Sequence, residues 1–365
     1  MVLPVLPLVV EVDSTAPVAP RLGVDARKLP GATALRPHEI LDRIDQLGFD
    51  GALFRSVFDL SPTLDHGALA EIRAHADDLG LYLESGLGKV NPFATPESPQ
   101  LRAAGDGDIL LGFRRMMQAC AAIDCRELWA ATANYQLGYG NRFTWDRFRT
   151  DAPWAEQLEA TYRFLLSLRP IALDLGQHIN LETHEEITSF ELVELIGRVG
   201  PDVCGIVFDT ANLLQRLEHP ARTTERVAPY VRQTQLKDAT IVVEPSGNYR
   251  YDLRPCGDGL VDFDHVVTTL REYAPTVNLT IENVESRDDF PGPSPVTVLP
   301  LDDPEFLAGH PDLSLAEFAD YVALVNRRGD RTTDSTAPHH DDALAALTRS
   351  RDHLRPLLVA GGVAC

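Results

Sequence analysis

The stretch HINLETHEEITSFELVELIGRVGPDVCGIVFD, residues 178–209, contains in one repeat the pattern that decides the fold. A short apolar run, His178–Glu182, is followed by an amphipathic stretch, Phe190–Val199, and then by a second apolar run, Gly205–Asp209. Short apolar runs are typical of buried strands, and hydrophobic residues that recur every three or four positions are typical of a helix. The stretch therefore predicts two parallel β-strands joined by a crossover helix.

The same alternation of strand and helix extends over most of the chain. It predicts further strands at Arg21–Lys28, Gly51–Val57, Leu81–Ser85, Glu127–Ala131, Arg232–Leu236 and Val277–Glu282. It predicts further helices at Pro37–Leu47, Gly67–Leu79, Leu110–Ile123, Trp154–Leu175, Thr224–Tyr230, Phe263–Tyr273 and Leu315–Arg327. A continuous series of strand–helix units favours an α/β fold, a closed (β/α)8 TIM barrel, although a doubly wound open sheet has the same alternation.

The barrel is expected to span residues 21–328, after an N-terminal lead-in at 1–20 and before a C-terminal extension, 329–365, that contains a helix at Asp342–Leu358. Three long insertions follow strands, so we expect extended loops at the C-terminal face of the barrel, where loops of this length often form lids or binding surfaces. They are Asn134–Pro153, which carries Tyr135, Tyr139, Phe143 and Trp145; Val242–Arg254, a predicted hairpin turning at Ser246-Gly247-Asn248; and Ser286–Asp312.

Charge and cysteine content exclude several classes of function. The 365 residues contain 33 Lys and Arg against 54 Asp and Glu, a formal net charge of −21, which disfavours nucleic acid and anionic membranes as partners. The 5 cysteines form no CxxC pair, and the apolar N-terminus, Met1–Val10, lacks a basic segment and is interrupted by two prolines. We therefore expect a protein of the reducing cytoplasm.

Four consecutive predicted strands end in side chains that bind metal ions through oxygen: Glu182, Asp209, Gln235 and Glu282. Because the ends of neighbouring barrel strands converge around one axis, these oxygens can form an acidic cage for a divalent cation, with Mn²⁺ favoured and Mg²⁺ or Co²⁺ also suitable. The alternative interpretation is that each residue only caps its strand or the helix that follows.

The sequence resembles the sugar phosphate isomerase/epimerase superfamily, the xylose-isomerase-like barrels, from about Arg21 to Arg327. The resemblance is carried by Leu181-Glu182-Thr183-His184, Phe208-Asp209-Thr210-Ala211-Asn212, Gln235-Leu236-Lys237-Asp238, Arg254-Pro255-Cys256-Gly257-Asp258-Gly259 with Val261-Asp262-Phe263, and Ile281-Glu282-Asn283. It implies that Glu182, Asp209, Gln235 and Glu282 hold the metal. Gln235 stands where many members have His, and Asn212 replaces a His found in many epimerases.

The resemblance also implies a reaction. A keto sugar would chelate the cation, which acts as a Lewis acid and lowers the cost of forming an enediolate. Glu182 and Glu282 would remove and return a proton. Strand alternation directs His184 to the same side as Glu182, where it is expected to contact a substrate hydroxyl or to shuttle a proton. Residues expected to bind substrate are Lys237, Arg254, Asn212 and Glu84.

Three functions are compatible with this sequence. The first is a metal-dependent isomerase or epimerase that acts on a keto sugar or derivative by proton transfer through an enediolate. The second is a lyase or dehydratase of the same family, such as the catalytic subunit of a C-glycoside deglycosidase that acts on a 3-keto glycoside, and the aromatic loop 134–153 favours it modestly. The third is a non-catalytic binding module. A sugar or glycoside is the expected ligand, and either a homo-oligomer or a small partner subunit is compatible with the sequence.

Overall fold

The computed structural model describes residues 20–94, 98–282, 297–331 and 342–359. Within these residues, eight parallel strands form the sheet of a TIM barrel, which confirms the predicted fold. Their bounds are β1 Leu22–Asp25, β2 Gly51–Leu53, β3 Tyr82–Lys89, β4 Glu127–Ala131, β5 His178–Glu182, β6 Cys204–Asp209, β7 Val231–Gln235 and, after the two hairpin strands β8 and β9 described below, β10 Leu279–Ile281.

The barrel closes between the last two of these strands. β10 pairs with β1, and a parallel bridge joins Leu236, directly after β7, to Ile281. The amide of Leu236 donates to the carbonyl of Thr280, and the amide of Glu282 donates to the carbonyl of Leu236. Since these bonds continue the ladder at the carboxyl end of β10, they fix the height of Glu282 beside the end of β7.

Helices between the strands cover the outside of the barrel. They are α1 Pro37–Gln46, α2 Val57–Leu60, α3 His66–Asp78, α4 Pro99–Ala104, α5 Ile109–Ala122, α6 Trp154–Leu175, α7 Ser189–Val199, α8 Pro220–Val227, α9 Phe263–Tyr273, α10 Pro304–Ala308, α11 Leu315–Arg328 and α12 Ala343–Val359. In α7, Thr188 and Glu191 form a capping box and Leu192, Leu195 and Ile196 are buried, so local capping and an apolar face act together.

Side chains fill the interior of the barrel, as expected for eight strands. Tyr82 of β3 lies across the barrel interior and its hydroxyl contacts the Thr280 hydroxyl at 2.8 Å. A Cβ atom at Gly23 would lie 2.0 Å from the Tyr82 hydroxyl, and one at Gly51 would lie 2.2 Å from its ring. These two glycines are therefore required by the close approach of the ring.

One strand is longer than predicted. β3 was expected to end at Ser85 but continues to Lys89, with a register shift between Gly86 and Gly88 where it pairs with β4. Gly88 has φ +82°, a left-handed conformation that glycine adopts without strain. The extension carries Lys89 to the mouth of the barrel.

A second, four-stranded sheet lies beside the barrel mouth within the described residues. The predicted hairpin is confirmed and is longer than expected: β8 Asp238–Val243 pairs antiparallel with β9 Tyr249–Arg254. β11 Thr297–Leu299 and β12 Asp330–Arg331 add to its two edges. Of the predicted insertion at 286–312, residues 286–296 lie outside the described residues, as do residues 1–19 of the lead-in.

The described part of the C-terminal extension packs on the barrel. In α12, the Ser350 hydroxyl accepts from the amide of Cys256 at 2.9 Å, and the His353 ring lies 5.9 Å from the Phe263 ring. Arg355 forms an ion pair with Asp50 at 2.5 Å. None of the described helices is both long and apolar enough to cross a membrane.

Candidate active site

Three carboxylates meet at the carboxyl ends of the strands. Glu182 ends β5, Asp209 ends β6, and Glu282 follows β10; one oxygen of each lies within 4.8 Å of the others. All three side chains are buried. Thr183 helps to set the position of Asp209, because its hydroxyl accepts from the Asp209 amide and donates to the Asp209 carbonyl, both at 2.8 Å.

Basic side chains surround this carboxylate cluster (Glu182, Asp209 and Glu282). Lys237 Nζ lies 2.9 Å from Asp209 Oδ2 and 3.2 Å from Glu282 Oε1. Arg55 Nη2 lies 2.8 Å from the same Glu282 oxygen, and Lys28 Nζ lies 3.7 Å from it. Glu282 therefore receives most of the compensating positive charge.

The two glutamates have opposite preferences for a proton. Burial raises the pKa of Glu182 to about 8, and the like charges of Glu282 and Asp209 add to this effect, although His184 and Arg55 oppose it. Burial would also raise the pKa of Glu282, but Arg55, Lys237 and Lys28 outweigh it and hold that pKa well below its usual range. Glu282 is thus the more strongly ionised carboxylate.

Gln235, the fourth predicted metal ligand, is buried at the end of β7 with its amide oriented by two neighbours. Its Oε1 accepts from the indole N–H of Trp129 at 2.9 Å, and its Nε2 donates to Asp25 Oδ2 at 2.8 Å. The amide oxygen keeps a second lone pair for a ligand. The same Asp25 oxygen also accepts from Arg55 at 2.6 Å.

Asp25 was missed in the sequence, although it obeys the rule that found the other acids. It ends β1 as Glu182 ends β5, and it is fully buried. It was missed because the first strand was predicted to continue to Lys28, which placed Asp25 in the middle of that strand rather than at its end. Trp129 gave no such signal, because an indole in a buried strand looks like an ordinary core residue.

The cluster opens into a cavity of about 350 Å³ at the barrel mouth. Three residues predicted from the sequence, His184, Asn212 and Lys237, line this cavity together with Glu182 and Glu282. Asn212 Oδ1 accepts from Lys237 Nζ at 3.0 Å. The remaining lining residues are Arg27, Lys28, Arg55, Asn134, Tyr135, Leu137, Glu185, Gln215, Tyr251 and Leu253.

His184 belongs to a second acidic group. Its Nδ1 contacts Glu186 Oε2, and it lies 3.3 Å from Glu185 Oε2. Burial alone would lower the pKa of His184, but the carboxylates of Glu185, Glu186 and Glu182 outweigh burial and raise it to about 10. The imidazole is therefore held as a cation beside the cavity.

Tyr251 was another residue missed in the sequence. It lies on the hairpin strand β9, and its buried hydroxyl has no hydrogen-bond partner among the residues that the structure describes. Alternation in the hairpin places Tyr249, Tyr251 and Leu253 on one face, a pattern that could have indicated a surface over the barrel mouth.

Two residues expected to bind substrate lie away from this cavity's lining. Arg254 ends β9 and pairs with Asp252 at 2.8 Å and with Asp330 at 3.0 Å. Glu84 accepts inside the barrel from Gln233 Nε2 at 3.1 Å and from Asn278 Nδ2 at 2.9 Å. Asn278 precedes β10, so Glu84 faces the amino end of the barrel rather than its mouth.

The aromatic loop makes only part of the expected contribution to the cavity. Tyr135 lines it, whereas Trp145 packs against the Phe306 ring with the ring centroids 5.8 Å apart. Phe143 lies under the guanidinium groups of Arg142 and Arg149. The aromatic residues toward the end of this loop therefore stabilise it and do not form a wall of the cavity.

The carboxylate cluster has the chemistry that a divalent cation requires. Glu182 Oε2 and Glu282 Oε2 are buried and have no hydrogen-bond partner in the described part of the chain. A buried carboxylate oxygen that lacks a donor is costly, and a cation placed between these oxygens would remove that cost. Lys237 supplies only one charge, which it shares between Asp209 and Glu282.

Two curated relatives match short parts of the chain. The uncharacterized protein YihM of Escherichia coli is 38% identical over 74 residues, which are 20% of this chain and 23% of that protein. The 3-oxo-isoapionate decarboxylase of Pectobacterium atrosepticum is 24% identical over 106 residues, which are 29% of this chain and 38% of that protein. The chain thus spans less than two fifths of the length of either relative.

Solved structures match over far more of the chain and show its fold. A D-psicose 3-epimerase, determined in the presence of D-fructose, has a TM-score of 0.58 at 16% identity, with 93% of this chain and 99% of the other covered. A xylose isomerase-like TIM barrel protein from Mycobacterium smegmatis, in complex with magnesium, has a TM-score of 0.59 at 15% identity, with 94% of this chain and 98% of the other covered.

The family profile described as xylose isomerase-like TIM barrel matches residues 41–297. Since that match spans most of the chain, the protein belongs to the xylose isomerase-like TIM barrel family, as the resemblance in its sequence indicated.

Proposed function

We propose that the protein is a divalent-metal-dependent isomerase or epimerase that acts on a keto sugar or a sugar derivative. The observation that carries this proposal is the pair of buried oxygens of Glu182 and Glu282 at the mouth cavity, which have no hydrogen-bond partner among the described residues. Family membership supports an enzyme of this class, and the structural neighbours include sugar 3-epimerases.

Glu182, Asp209 and Glu282 would hold the cation, with the free lone pair of Gln235 as a fourth donor. When bound, the cation supplies Lewis acidity toward the carbonyl and neighbouring hydroxyl of the sugar, which stabilises an enediolate. Mn²⁺ remains our preferred ion, and Mg²⁺ and Co²⁺ satisfy the same oxygen donors.

The protein's own residues would move the proton. Glu182 and Glu282 lie on the two sides of the cluster, so one carboxylate can remove a proton from the carbon next to the carbonyl while the other returns it. Lys237 and Arg55 keep positive charge close to the developing oxyanion, and Asn212 fixes the Lys237 ammonium at 3.0 Å. His184, held as a cation by its acidic neighbours, is placed to donate to a substrate hydroxyl.

A carbon–carbon lyase is the second candidate, and the match to a 3-oxo acid decarboxylase favours it. Loss of carbon dioxide from a keto acid leaves the bonding electron pair on the carbon next to the carbonyl, and the charge passes to an oxyanion of the same kind. The same cation and the same Lys237 would stabilise both outcomes.

The first test combines elemental analysis with a substrate screen. Purified protein is expected to contain about one Mn²⁺, Mg²⁺ or Co²⁺ per chain, and incubation with ketoses in heavy water is expected to place deuterium at the carbon next to the carbonyl. Release of an aglycone or of carbon dioxide without deuterium in recovered substrate would favour the lyase. If no ion binds and no substrate reacts, the proposed function is wrong.

A further inference from the structure

A second cavity of about 220 Å³ adjoins the mouth cavity and shares two of its lining residues, Arg27 and Asn134. Lys89, at the end of the extended strand β3, lines this second cavity together with Ser56 and Asp59. Because the two cavities share these residues, a ligand bound at the carboxylate cluster could extend into the second cavity, away from its reacting atoms.

Lys89 differs from the other basic residues around the two cavities. Arg27 is held by both oxygens of Asp59, at 3.0 Å and 2.8 Å, and Arg55 lies between Asp25 and Glu282. Lys237 is likewise paired with two carboxylates. Among the described residues, no carboxylate lies within ion-pair distance of the Lys89 ammonium.

Asp59, the acidic residue that lines the same cavity, does not provide that partner. Asp59 lines the same cavity, but Oδ1 accepts from Arg27, and Oδ2 accepts from both Arg27 and the amide of Ser56 at 3.2 Å. Asp59 therefore orients Arg27 toward the cavity and has little remaining capacity for Lys89.

The backbone places Lys89 where it is. The register shift between Gly86 and Gly88, together with the left-handed φ of Gly88, changes the direction of the strand before Lys89. Bulges at the rim of a barrel or next to an active site can redirect a side chain. Lys89 is half-buried and lines a cavity, whereas a lysine at the end of a strand usually extends into solvent.

We propose that this second cavity is a subsite for an anionic group of the substrate, a carboxylate or a phosphate, bound by Lys89 with Arg27 as a second donor. The inference rests on the proposed function, since it defines the substrate of that same site as an acidic sugar derivative rather than a neutral sugar. It also assigns part of substrate binding to Lys89, whereas Arg254, which was expected from the sequence to bind substrate, lies outside both cavities.

The electrostatic environment of Lys89 agrees with this assignment. Burial is the largest influence and lowers the pKa of Lys89 to about 8; the charges of Arg27 and Arg55 lower it further, and the carboxylates of Glu182 and Glu186 oppose them. An anion bound in the cavity would raise this pKa by adding negative charge beside the ammonium.

The test measures anion binding directly. Titration calorimetry would use the Mg²⁺-loaded protein with inorganic phosphate in one series and D-glycerate in another, at constant ionic strength set with chloride. At least one of the two anions is expected to bind the wild type. Lys89→Met is expected to bind that anion at least about tenfold more weakly, because it loses a charge-assisted hydrogen bond. The preferred anion distinguishes a sugar phosphate from a sugar acid.

Arg254→Met is the matched control, because it removes one positive charge from the same end of the barrel but outside the cavity. Its anion affinity is expected to equal that of wild type, and Lys89→Arg is expected to restore most of the binding. Failure of both anions to bind wild type, or equal binding by wild type and Lys89→Met, overturns the proposal.

A measurement on the wild type covers the case in which Lys89→Met does not fold. Acylation of lysines followed by mass spectrometry is expected to show Lys89 protected by the anion that binds, and unchanged labelling of Lys89 overturns the subsite. The metal content of the same preparations separates the two proposals. If anion binding fails while the metal is retained, only the subsite is overturned. If the protein contains no metal, the proposed function is contradicted.

Discussion

Acidic side chains lie at both ends of this barrel, and they differ in how their oxygens are satisfied by hydrogen bonds. At the amino end, Glu84 accepts from the amides of Gln233 and Asn278, and it does not line the mouth cavity. At the mouth, Glu182 and Glu282 each keep one oxygen without a hydrogen-bond partner in the described chain, and both line that cavity. Glu84 and Glu182 both have a raised pKa, with desolvation as the largest cause, so a raised pKa does not identify a site by itself.

The difference shows what a ligand site needs here. Amide partners satisfy both oxygens of Glu84, so a structural role inside the barrel accounts for this residue without a ligand. The basic neighbours of the carboxylate cluster concentrate on Glu282 and leave Glu182 poorly compensated, and under the proposed function a cation supplies the remaining positive charge. Four experiments test this difference.

The largest effect is expected on turnover. Glu182→Gln and Glu282→Gln are each expected to lower turnover by about 10²–10⁴-fold or more, because each change removes a proton-transfer group and a cation ligand. Glu84→Gln is the matched control and is expected to stay near the wild-type rate. Steady-state kinetics on the substrate found by the screen gives the result, with circular dichroism to check the fold. Near-wild-type rates in both mouth variants would exclude the proton-transfer roles.

The next effect concerns the affinity for metal as a function of pH. The pKa of Glu182 is raised to about 8 and that of Asp209 to about 6, mainly by burial, so below these values a cation must displace protons. When binding displaces one proton, affinity for the cation changes by up to about tenfold per pH unit. The affinity for Mn²⁺ is therefore expected to fall by up to about 100-fold from pH 8 to pH 6. Calorimetry in buffers of different ionisation enthalpy measures both the affinity and the proton release. An affinity independent of pH would contradict this account.

A third effect tests the acid at the amino end. Burial raises the pKa of Glu84 from 4.5 to about 7, so between these values the folded state keeps a proton that the unfolded state has released. Stability due to this group therefore falls as pH rises through that window. Between pH 5 and pH 8, the free energy of unfolding of the wild type is expected to fall by about 1–3 kcal/mol more than that of Glu84→Gln. Urea denaturation at the two pH values measures the difference, and parallel curves would show that Glu84 is ionised in the folded protein.

The smallest effect is expected from Trp129→Phe. The change keeps an aromatic ring in β4 but removes the N–H that orients Gln235, so the amide can turn away from the cation. Affinity for Mn²⁺ is expected to fall by about tenfold, which is the smaller of the losses typical when a residue that orients a metal ligand is removed. The thermal midpoint serves as a control for packing, and unchanged affinity in a stable variant would remove Gln235 from the ligand set.

Much of the architecture was predictable because strand and helix periodicities are local. β4, β5, α6 and α9 begin and end at the residues expected from the pattern. The end of β3 was predicted four residues too early, because Gly86 and Gly88 interrupt the alternation and their role depends on pairing with β4. A bulge is defined by its partner strand, which the local sequence does not contain.

The site was predictable to the extent that it follows from strand ends. Glu182, Asp209 and Glu282 meet because adjacent parallel strands finish at one height, and His184, Asn212 and Lys237 follow from their spacing to those ends. Glu84 and Arg254 could not be placed in the same way. The direction of a side chain near a strand end depends on the partners that it finds, such as Asn278 for Glu84 and Asp330 for Arg254.

Residue order and periodicity along the chain were enough to predict a barrel of alternating strands and helices with acids at its mouth, because both are local properties of the sequence. Three further properties come from folding in three dimensions. Glu182 and Glu282 each keep an oxygen without a hydrogen-bond partner in the described chain, Asp25 and Trp129 orient Gln235, and Lys89 has no described carboxylate within ion-pair distance. Those properties depend on distances between residues far apart in sequence, and burial makes each missing partner costly in free energy.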